Sequence, residues 1–334
     1  MSIEQSVLTE QSQHNPTVSI VATMYRSAQY VEPFYRRCLA ALNELNITDY
    51  EFVLVDDGSP DDSLAHAVGL SKLDGNVKVV ELSRNFGHHK AMVSGLEQAS
   101  GDNVFLIDID LEEPPELLIK FWQKMYCQTQ QDCEIDVVYG VQMSRKGDWL
   151  ERWTGSWYYS AFNRLADDIQ VERNLSTVRL MRKEYVQQLL GFKEQEFYFG
   201  PVCALVGFKQ VPVTINKVSH SATTYHFFKK YNLFINSIFA FSKKPLYFIF
   251  YFGLMLTMLS FTLGSVVLLR KIFFGGVLDG WTSIMVSIWF LGGVIIMFLG
   301  VIAIYLSKIF SQTKQRPFTV VRKVHQHTKR SNQE

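Results

Sequence analysis

The chain has 334 residues, and its 33 Lys and Arg against 32 Asp and Glu give a formal net charge of +1. This length provides one large domain or two modest ones with a hydrophobic core, and the balanced charge gives no long-range field favouring nucleic acid, so we expect no nucleic-acid partner. The four cysteines form no Cys-x-x-Cys pair and have no histidine at zinc spacing, which is typical of a protein in a reducing cytosol.

Residues 1–16 are polar and contain no apolar segment of a signal peptide, so we expect a disordered N-terminus there. From residue 17 onward, apolar strand-like runs alternate with helical patterns. Alternation at this spacing is typical of βαβ units and predicts an α/β domain with a mainly parallel sheet. The predicted strands are 17–24, 51–55, 77–82, 103–107 and 136–139, and the predicted helices are 31–45, 61–71 and 89–99.

Carboxylates stand where two of these strands end. Asp56 and Asp57 close the second strand, and Asp108 and Asp110 follow the fourth. The carboxyl ends of parallel strands meet at one edge of the sheet, where open α/β sheets bind ligands. Because like charges gathered at one edge cost free energy unless they bind something, we expect a ligand site there.

Asp108 and Asp110 repel each other unless a cation lies between them. Hard divalent cations such as Mg²⁺ or Mn²⁺ accept carboxylate oxygens and can bridge them to phosphates. The alternative is a solvated acidic turn before a helix near Pro114 and Pro115. Two acidic clusters at the same edge favour the metal site.

Other nucleotide-binding motifs are absent from the sequence. No Gly-x-Gly-x-x-Gly follows the first strand and no Gly-Lys-Ser/Thr loop occurs, which counts against dehydrogenases and P-loop enzymes. Gly87 and the following His88-His89 lie at a strand-to-helix junction, where backbone amides can approach an anionic ligand. A surface histidine pair beside a helix cap is the alternative.

The C-terminal third predicts membrane attachment. Residues 245–269 and 280–307 contain no charged residue, and each exceeds the roughly 20 residues that cross a bilayer core. We therefore expect two transmembrane helices, with residues 225–241 before them as an amphipathic interfacial helix; a core helix is the alternative for that segment. Basic residues flank the spans, so the positive-inside rule predicts that both termini and the α/β domain are cytoplasmic, at the plasma (inner) membrane.

Several motifs occur in an order that identifies a family resemblance. They are Val55-Asp56-Asp57-Gly58-Ser59, Arg84-Asn85-Phe86-Gly87, the run from Asp108 to Glu116, Asp136-Val137-Val138-Tyr139-Gly140, Arg179-Leu180-Met181 and Val206-Gly207-Phe208. With the paired spans, the chain resembles the inverting family-2 glycosyltransferases with the GT-A fold. Within them it is most similar to polyprenyl-phosphate glycosyltransferases, such as undecaprenyl-phosphate glucosyltransferases and dolichol-phosphate mannose synthases.

The resemblance implies roles for individual residues. Asp108 and Asp110 would bind Mg²⁺ or Mn²⁺ and act in catalysis together with Glu112, which stands where the family often has Gln. The acceptor phosphate would be bound by Arg152, Arg164 and Arg179. The nucleotide sugar would be bound by Thr23, Tyr25, Asp56, Asp57, Asn85 and Gly87.

Two positions depart from the family pattern. The segment Thr23-Met24-Tyr25-Arg26-Ser27 lacks a nucleotide-contacting Glu, and Thr177 replaces an acidic residue. An anionic phosphate acceptor needs no general base, so the loss of an acid at Thr177 is compatible with catalysis. A hydroxyl acceptor would need a base, for which Asp110 and Glu112 are the nearest candidates.

We therefore expect inverting transfer of a sugar from a nucleotide sugar to a polyprenyl phosphate, for synthesis or modification of a cell-envelope glycan. The alternatives are elongation of a lipid-linked saccharide through a hydroxyl group, and a non-catalytic membrane subunit that binds sugar nucleotides. The resemblance also implies a homo-oligomer.

The expected domains are 1–16, a disordered N-terminus; 17–224, the GT-A catalytic domain; 225–244, the interfacial segment; 245–310, the transmembrane hairpin; and 311–334, a cytoplasmic tail.

Overall fold

A computed structural model describes residues 18–126, 134–142, 174–194, 198–217, 242, 244–274 and 280–327. The predicted interfacial helix, the N-terminal segment, and Arg152 and Arg164 lie outside these described residues. In chain order, the elements are β1 Val18–Met24, α1 Ala28–Glu44, β2 Tyr50–Asp56, α2 Ser63–Leu73, β3 Val77–Leu82, α3 His88–Gln98, β4 Asn103–Asp108, α4 Leu117–Tyr126, β5 Val137–Gln142, β6 Leu175–Arg182, α5 Lys183–Leu190, α6 Phe199–Leu205, β7 Gln210–Ile215, α7 Lys244–Phe274, α8 Trp281–Thr313 and β8 Val321–Gln326.

The strands form one eight-stranded sheet in the order β7-β5-β6-β4-β1-β2-β3-β8. The four strands β4, β1, β2 and β3 are parallel neighbours, as the alternating sequence pattern predicted. β6 runs antiparallel to both β4 and β5, and β8 runs antiparallel to β3. The expected α/β class with a mainly parallel sheet flanked by helices is therefore confirmed.

Helices cover both faces of the sheet, which explains why the central strands are apolar without alternation. Every residue of β1 is buried. On one face, α1 and α4 contribute Phe34 and Phe121 to the core. On the other face, α5 and α6 contribute Tyr185 and Phe199. Burial of these apolar surfaces on both sides stabilises the sheet and fixes the edge at which its strands end.

Two long apolar helices follow the sheet. Within α8, Ser287–Thr313 has a mean hydropathy of 2.5 and is long and apolar enough to cross a membrane, the one such segment found among the described residues. α7 packs antiparallel against α8, since the rings of Phe252 and Phe298 make an edge contact at 6.0 Å and the Tyr305 hydroxyl donates to the Ser242 carbonyl at 2.8 Å. The second span predicted in α7 stays a prediction.

The chain returns to the sheet after α8, which the sequence patterns did not predict. β8 pairs with β3 over Lys78–Leu82, and the Ser83 amide donates to the Val320 carbonyl at 2.9 Å. Glu81 accepts hydrogen bonds from Arg322 at 3.2 Å and shares one with His325 at 2.9 Å. Part of the expected tail is therefore an edge strand of the α/β domain.

Candidate active site at the carboxyl edge of the sheet

The two acidic clusters lie at the same edge of the sheet, as the strand pattern predicted. Thr23 on β1 is the register partner of Asp108 on β4. Met24, the next residue, is the register partner of Asp56 on β2. Neighbouring parallel strands therefore place the functional side chains side by side at their carboxyl ends, where α/β sheets bind ligands.

Asp57 holds the loop that follows β3. Its carboxylate accepts hydrogen bonds from the backbone amides of Phe86 at 2.7 Å and Gly87 at 3.0 Å, and it is only 3% exposed. Burial raises its pKa, and the two amides partly offset that rise. Asp56 accepts from the Ser59 amide at 3.2 Å and is equally buried. Contacts of both carboxylates with a nucleotide stay a prediction.

Gly58 allows the turn after β2 to approach the loop after β3. Its φ is +66°, and a Cβ on this residue would lie 2.7 Å from the Arg84 carbonyl carbon and from the Asn85 nitrogen. Only glycine fits such a close backbone approach without displacement. The turn after β2 therefore packs directly against the loop after β3. Within that loop, the Arg84 guanidinium lies 4.1 Å over the Phe86 ring.

Two of the other predicted nucleotide contacts, Tyr25 and Asn85, are exposed at this edge, whereas Thr23 is buried. The Tyr25 side chain is 46% exposed, with the Arg26 guanidinium 5.6 Å from its ring. Asn85 is exposed, and Gly87 has a φ of +100° immediately before α3. An exposed aromatic ring can stack on a base, and backbone amides at a helix N-terminus can donate to an anion.

Asp108 is surrounded by polar groups. One carboxylate oxygen lies 3.3 Å from His88 Nε2, and the other accepts from the Thr177 hydroxyl at 3.3 Å. His88 Nδ1 lies 3.2 Å from the Thr23 hydroxyl. Burial alone would raise the pKa of Asp108, but the His88 imidazole and other neighbours hold it below its ordinary value. The pKa of His88 is raised, because the Asp108 carboxylate outweighs desolvation.

The backbone bends sharply beyond Asp108. Leu111 has a φ of +58°, a conformation that is uncommon for a residue other than glycine. This bend lets the Glu112 amide donate to the Asp110 carboxylate at 2.9 Å. Burial and the neighbouring Asp108 and Glu112 carboxylates raise the pKa of Asp110, and the Glu112 amide partly offsets that rise. A strained non-glycine residue at this point is consistent with a functional loop.

Glu113 and Lys217 belong to the same cluster, although the sequence did not single them out. The Glu113 side chain is 1% exposed and accepts a short hydrogen bond from the Ser176 hydroxyl, while its Oε2 has no hydrogen-bond partner in the structure. Lys217 Nζ lies 3.0 Å from Glu112 Oε2 and 3.9 Å from Glu113 Oε1. Burial and the Asp108 charge raise the pKa of Glu113 to about 7.

The paired carboxylates fit a hard divalent cation as a partial ligand set. Asp108 Oδ1 is buried and makes no hydrogen bond, although it lies 3.3 Å from His88 Nε2, and Asp110 supplies further carboxylate oxygen nearby. Within the described ranges, no group of three or more His, Cys, Asp and Glu side chains is arranged to hold a metal by itself. Mg²⁺ commonly takes only one or two protein carboxylates, with water and substrate phosphates completing its six positions.

Arg179 lies behind this site rather than at its surface. It is 1% exposed, its guanidinium lies 4.7 Å over the Phe199 ring, and it donates to the Thr177 carbonyl at 3.2 Å. A phosphate oxygen would reach this guanidinium only after the side chain became exposed. Its predicted role at the acceptor phosphate, like those of Arg152 and Arg164, stays a prediction.

Three residues of the site had no role assigned from the sequence, and for two of them the sequence contained a signal. His88 follows Gly87 at a helix start, a position that favours ligand contact, and the structure brings it to Asp108. Glu113 lies inside the motif after Asp110, yet its burial depends on packing against Ser176. Lys217 carried no local signal, because its place beside Glu112 depends on β7 lying in the sheet next to β5.

Comparison with known proteins agrees with this architecture. Residues 19–190 match the model of glycosyl transferase family 2. A protein named as a putative glycosyltransferase from Mycobacterium tuberculosis is 44% identical over 308 residues, covering 92% of this chain and 88% of the relative. A prophage bactoprenol glucosyl transferase homolog from Escherichia coli is 30% identical over 315 residues, covering 92% of this chain and 99% of the relative.

Among solved structures, a mannosyltransferase from Pyrobaculum calidifontis in complex with GDP-Man and Mn²⁺ aligns with 91% of this chain and 88% of its own, at 16% identity and a TM-score of 0.45. The family match spans more than half of the sequence, and the relatives match it almost from end to end. The chain belongs to glycosyl transferase family 2.

Proposed function

We propose that this chain transfers a sugar from a nucleotide sugar to a polyprenyl phosphate, with inversion at the anomeric carbon. The observation that carries the proposal is the similarity to a bactoprenol glucosyl transferase homolog over 92% of this chain and 99% of that protein. The match includes the C-terminal helices as well as the α/β domain. The product would be a sugar joined to the lipid through a single phosphate.

The donor would lie along the carboxyl ends of β1, β2 and β4. Tyr25 would stack on the base, and Thr23, Asp56, Asp57, Asn85 and Gly87 would complete the pocket. Asp57 fixes the position of the loop that carries Asn85 and Gly87, because it binds two backbone amides of that loop. The pocket is thus organised before the donor arrives, which reduces the entropy lost on binding.

Asp108 and Asp110 would hold the divalent cation, Mg²⁺ or Mn²⁺, which when bound would stabilise the charge that develops on the leaving nucleoside diphosphate. Asp108 is ready for such a role, since neighbouring groups keep its pKa low and its carboxylate charged. Thr177 and Thr23 with His88 orient this carboxylate from two sides. Glu112 would fix Asp110 through its backbone amide.

A phosphate acceptor suits the polar groups around the reacting position. Its oxygen is already anionic near neutral pH, so it can attack the anomeric carbon without losing a proton to a base. Thr177, where relatives in this resemblance carry an acid, contributes a hydroxyl that donates to Asp108. Arg152, Arg164 and Arg179 are the proposed cationic contacts for the acceptor phosphate, because a guanidinium binds two phosphate oxygens at once. Arg179, which is buried, would first have to become exposed.

The path of the chain supports a hairpin with both ends on the side of the α/β domain, which the basic flanking residues predict to be cytoplasmic. β8 begins eight residues after α8 ends and pairs with β3 of the α/β domain. If α8 crosses the bilayer, its C-terminal end must therefore lie on the side of the catalytic domain. The contact between Tyr305 and Ser242 brings the start of α7 to that same end of α8. α7 would then have to cross as well, to reach the far end of α8.

Transfer assays with the purified full-length protein test this proposal. The protein is incubated with a panel of nucleotide sugars, Mg²⁺ or Mn²⁺, and undecaprenyl phosphate, and the lipid products are identified by mass spectrometry. We expect one hexose added to the lipid phosphate and release of a nucleoside diphosphate. An extended lipid-linked saccharide, with undecaprenyl phosphate unused, would assign the enzyme to hydroxyl acceptors instead.

A further inference from the structure

Lys217 is a cation placed within the acidic cluster by the distant strand β7. Its side chain, 29% exposed, lies two residues beyond the end of β7. The Nζ atom lies 3.0 Å from Glu112 Oε2, within hydrogen-bond reach, and 3.9 Å from Glu113 Oε1, beyond it. An ammonium group has three N–H donors, and of the distances that the structure gives, one is short enough to use a donor. The group can therefore donate to a further oxygen while it stays beside Glu112.

Four carboxyl groups form the acidic cluster beside which the proposed function puts the substrate phosphates. They belong to Asp108, Asp110, Glu112 and Glu113, and the ion pairs described for them involve the imidazole of His88 and the ammonium of Lys217. Unscreened carboxylates repel phosphate, and this repulsion is strong at short range in a partly buried site. A cation at the rim of this cluster therefore affects phosphate binding directly.

The His88 imidazole and the Lys217 ammonium differ in what they can reach. His88 is held between Asp108 and Thr23, with one ring nitrogen at 3.3 Å from the carboxylate and the other at 3.2 Å from the hydroxyl. Lys217 has a flexible four-carbon stem, and burial lowers its pKa less than the Glu113 and Glu112 carboxylates raise it. It therefore stays charged at neutral pH and can move its ammonium group by rotation of the stem.

We propose that Lys217 binds a phosphate oxygen of a substrate, moving from Glu112 or donating to both groups at once. The inference rests on the proposed function, which supplies two phosphate-bearing substrates. The phosphate belongs either to the diphosphate of the nucleotide sugar or to the polyprenyl phosphate, and separate measurements distinguish these sources. The role explains why an acidic residue, Glu112, is tolerated at a position where the family often has a neutral Gln.

The test uses the full-length protein in detergent with Lys217→Met and Lys217→Arg, and with Lys72→Met as a matched control. Lys72 is exposed in the last turn of α2, at the opposite edge of the sheet. Binding of UDP and of GDP with Mg²⁺ is measured by calorimetry, and KM is measured for undecaprenyl phosphate. We expect Lys217→Met either to weaken nucleoside diphosphate binding or to raise the KM for undecaprenyl phosphate, by about 10-fold or more. A hydrogen bond to a charged group contributes about 1.5–3 kcal/mol, which corresponds to such a change. Lys217→Arg should recover much of the loss, and Lys72→Met should change nothing.

A double variant separates direct contact from removal of a counterion. If Lys217→Met acts only because Glu112 loses its contact with the ammonium group, Glu112→Gln combined with Lys217→Met will restore binding. If Lys217 contacts phosphate, the double variant will remain weak. A change in nucleoside diphosphate affinity assigns the contact to the donor, and a change in KM for the lipid alone assigns it to the acceptor.

Restored binding in the double variant, or unchanged affinity and KM in Lys217→Met, would overturn the inference. These outcomes are distinct from failure of the proposed function, in which the wild-type protein itself would leave undecaprenyl phosphate unmodified. In that case, nucleoside diphosphate binding alone still decides the inference. Weaker binding in Lys217→Met that persists in the double variant supports it, and any other result rejects it.

Discussion

Thr23 at the end of β1 and Asp108 at the end of β4 are register partners, and the His88 imidazole contacts both side chains, at 3.2 Å and 3.3 Å. Three separate segments of the chain therefore meet at one carboxylate. The hydroxyl of Thr177, from β6, reaches the same carboxylate from the other side. This arrangement fixes the orientation of Asp108 before any ligand binds, and preorganised charge is often the largest contribution to catalysis.

Asp110→Asn tests the metal role of the paired carboxylates. The change removes one negative charge from the proposed ligand pair, so turnover should fall by roughly 10²–10³ or more, as on removal of an electrostatic stabiliser. The melting temperature should stay close to that of the wild type. Asp102→Asn, at the opposite edge of the sheet, is the control and should keep full activity. Near-normal turnover of Asp110→Asn, or full wild-type activity in excess chelator, would remove the metal from the mechanism.

Asp57→Asn tests the link between Asp57 and the loop after β3. The asparagine side chain keeps one acceptor oxygen for one of the two backbone amides of Phe86 and Gly87. It presents an NH₂ group to the other, so one charge-assisted hydrogen bond is lost. We expect a decrease in the free energy of unfolding of about 1.5–3 kcal/mol and about 10-fold weaker nucleoside diphosphate binding, measured by calorimetry. Wild-type affinity would show that the loop needs no support from Asp57.

Glu113→Gln tests the buried carboxyl group through the pH dependence of stability. The pKa of Glu113 is about 7 against an ordinary value of 4.5, so the folded protein binds more protons than the unfolded chain between these values. Its contribution to stability is therefore complete below the ordinary pKa and is lost as pH rises toward about 7. Thermal melting of both proteins should show a smaller decrease with pH in Glu113→Gln, and this variant should be the more stable one at about pH 8. Parallel curves for the two proteins would contradict the assignment.

Cysteine labelling tests the membrane topology. In a background whose native cysteines are replaced, a cysteine at Gly276 should react with an impermeant thiol reagent in intact cells, because that position joins the two proposed spans. A cysteine at Thr328, shortly after β8, should react only after the cells are permeabilised. The reverse pattern would refute the orientation, and labelling at both positions in intact cells would refute the hairpin.

The sequence predicted the part of the fold that depends on local patterns. The first four strands were placed within one or two residues, because uninterrupted apolar runs such as 103–107 are typical of strands buried on both faces. The meeting of Asp56 and Asp108 at one edge also followed, since parallel strands end together. These inferences require no knowledge of contacts between distant segments.

What the sequence did not predict depends on such distant contacts. β8 reads as a polar tail, and it becomes a strand because the edge of β3 is open to pairing and Glu81 binds Arg322 and His325. Lys217 likewise reaches Glu112 only through the position of β7 in the sheet. The burial of Arg179 against Phe199 was not predicted either, and its role at the acceptor phosphate, implied by the resemblance, stays a prediction.

A competition between acceptors tests the central claim most directly. The purified protein is given its preferred nucleotide sugar together with equal amounts of undecaprenyl phosphate and a lipid-linked saccharide, and both products are quantified by mass spectrometry. We predict that sugar is added to undecaprenyl phosphate, giving a sugar-phosphate-lipid that mild acid cleaves at its glycosyl phosphate bond. Transfer to the saccharide alone, with undecaprenyl phosphate unchanged, would contradict the proposal that the nucleophile is a phosphate oxygen.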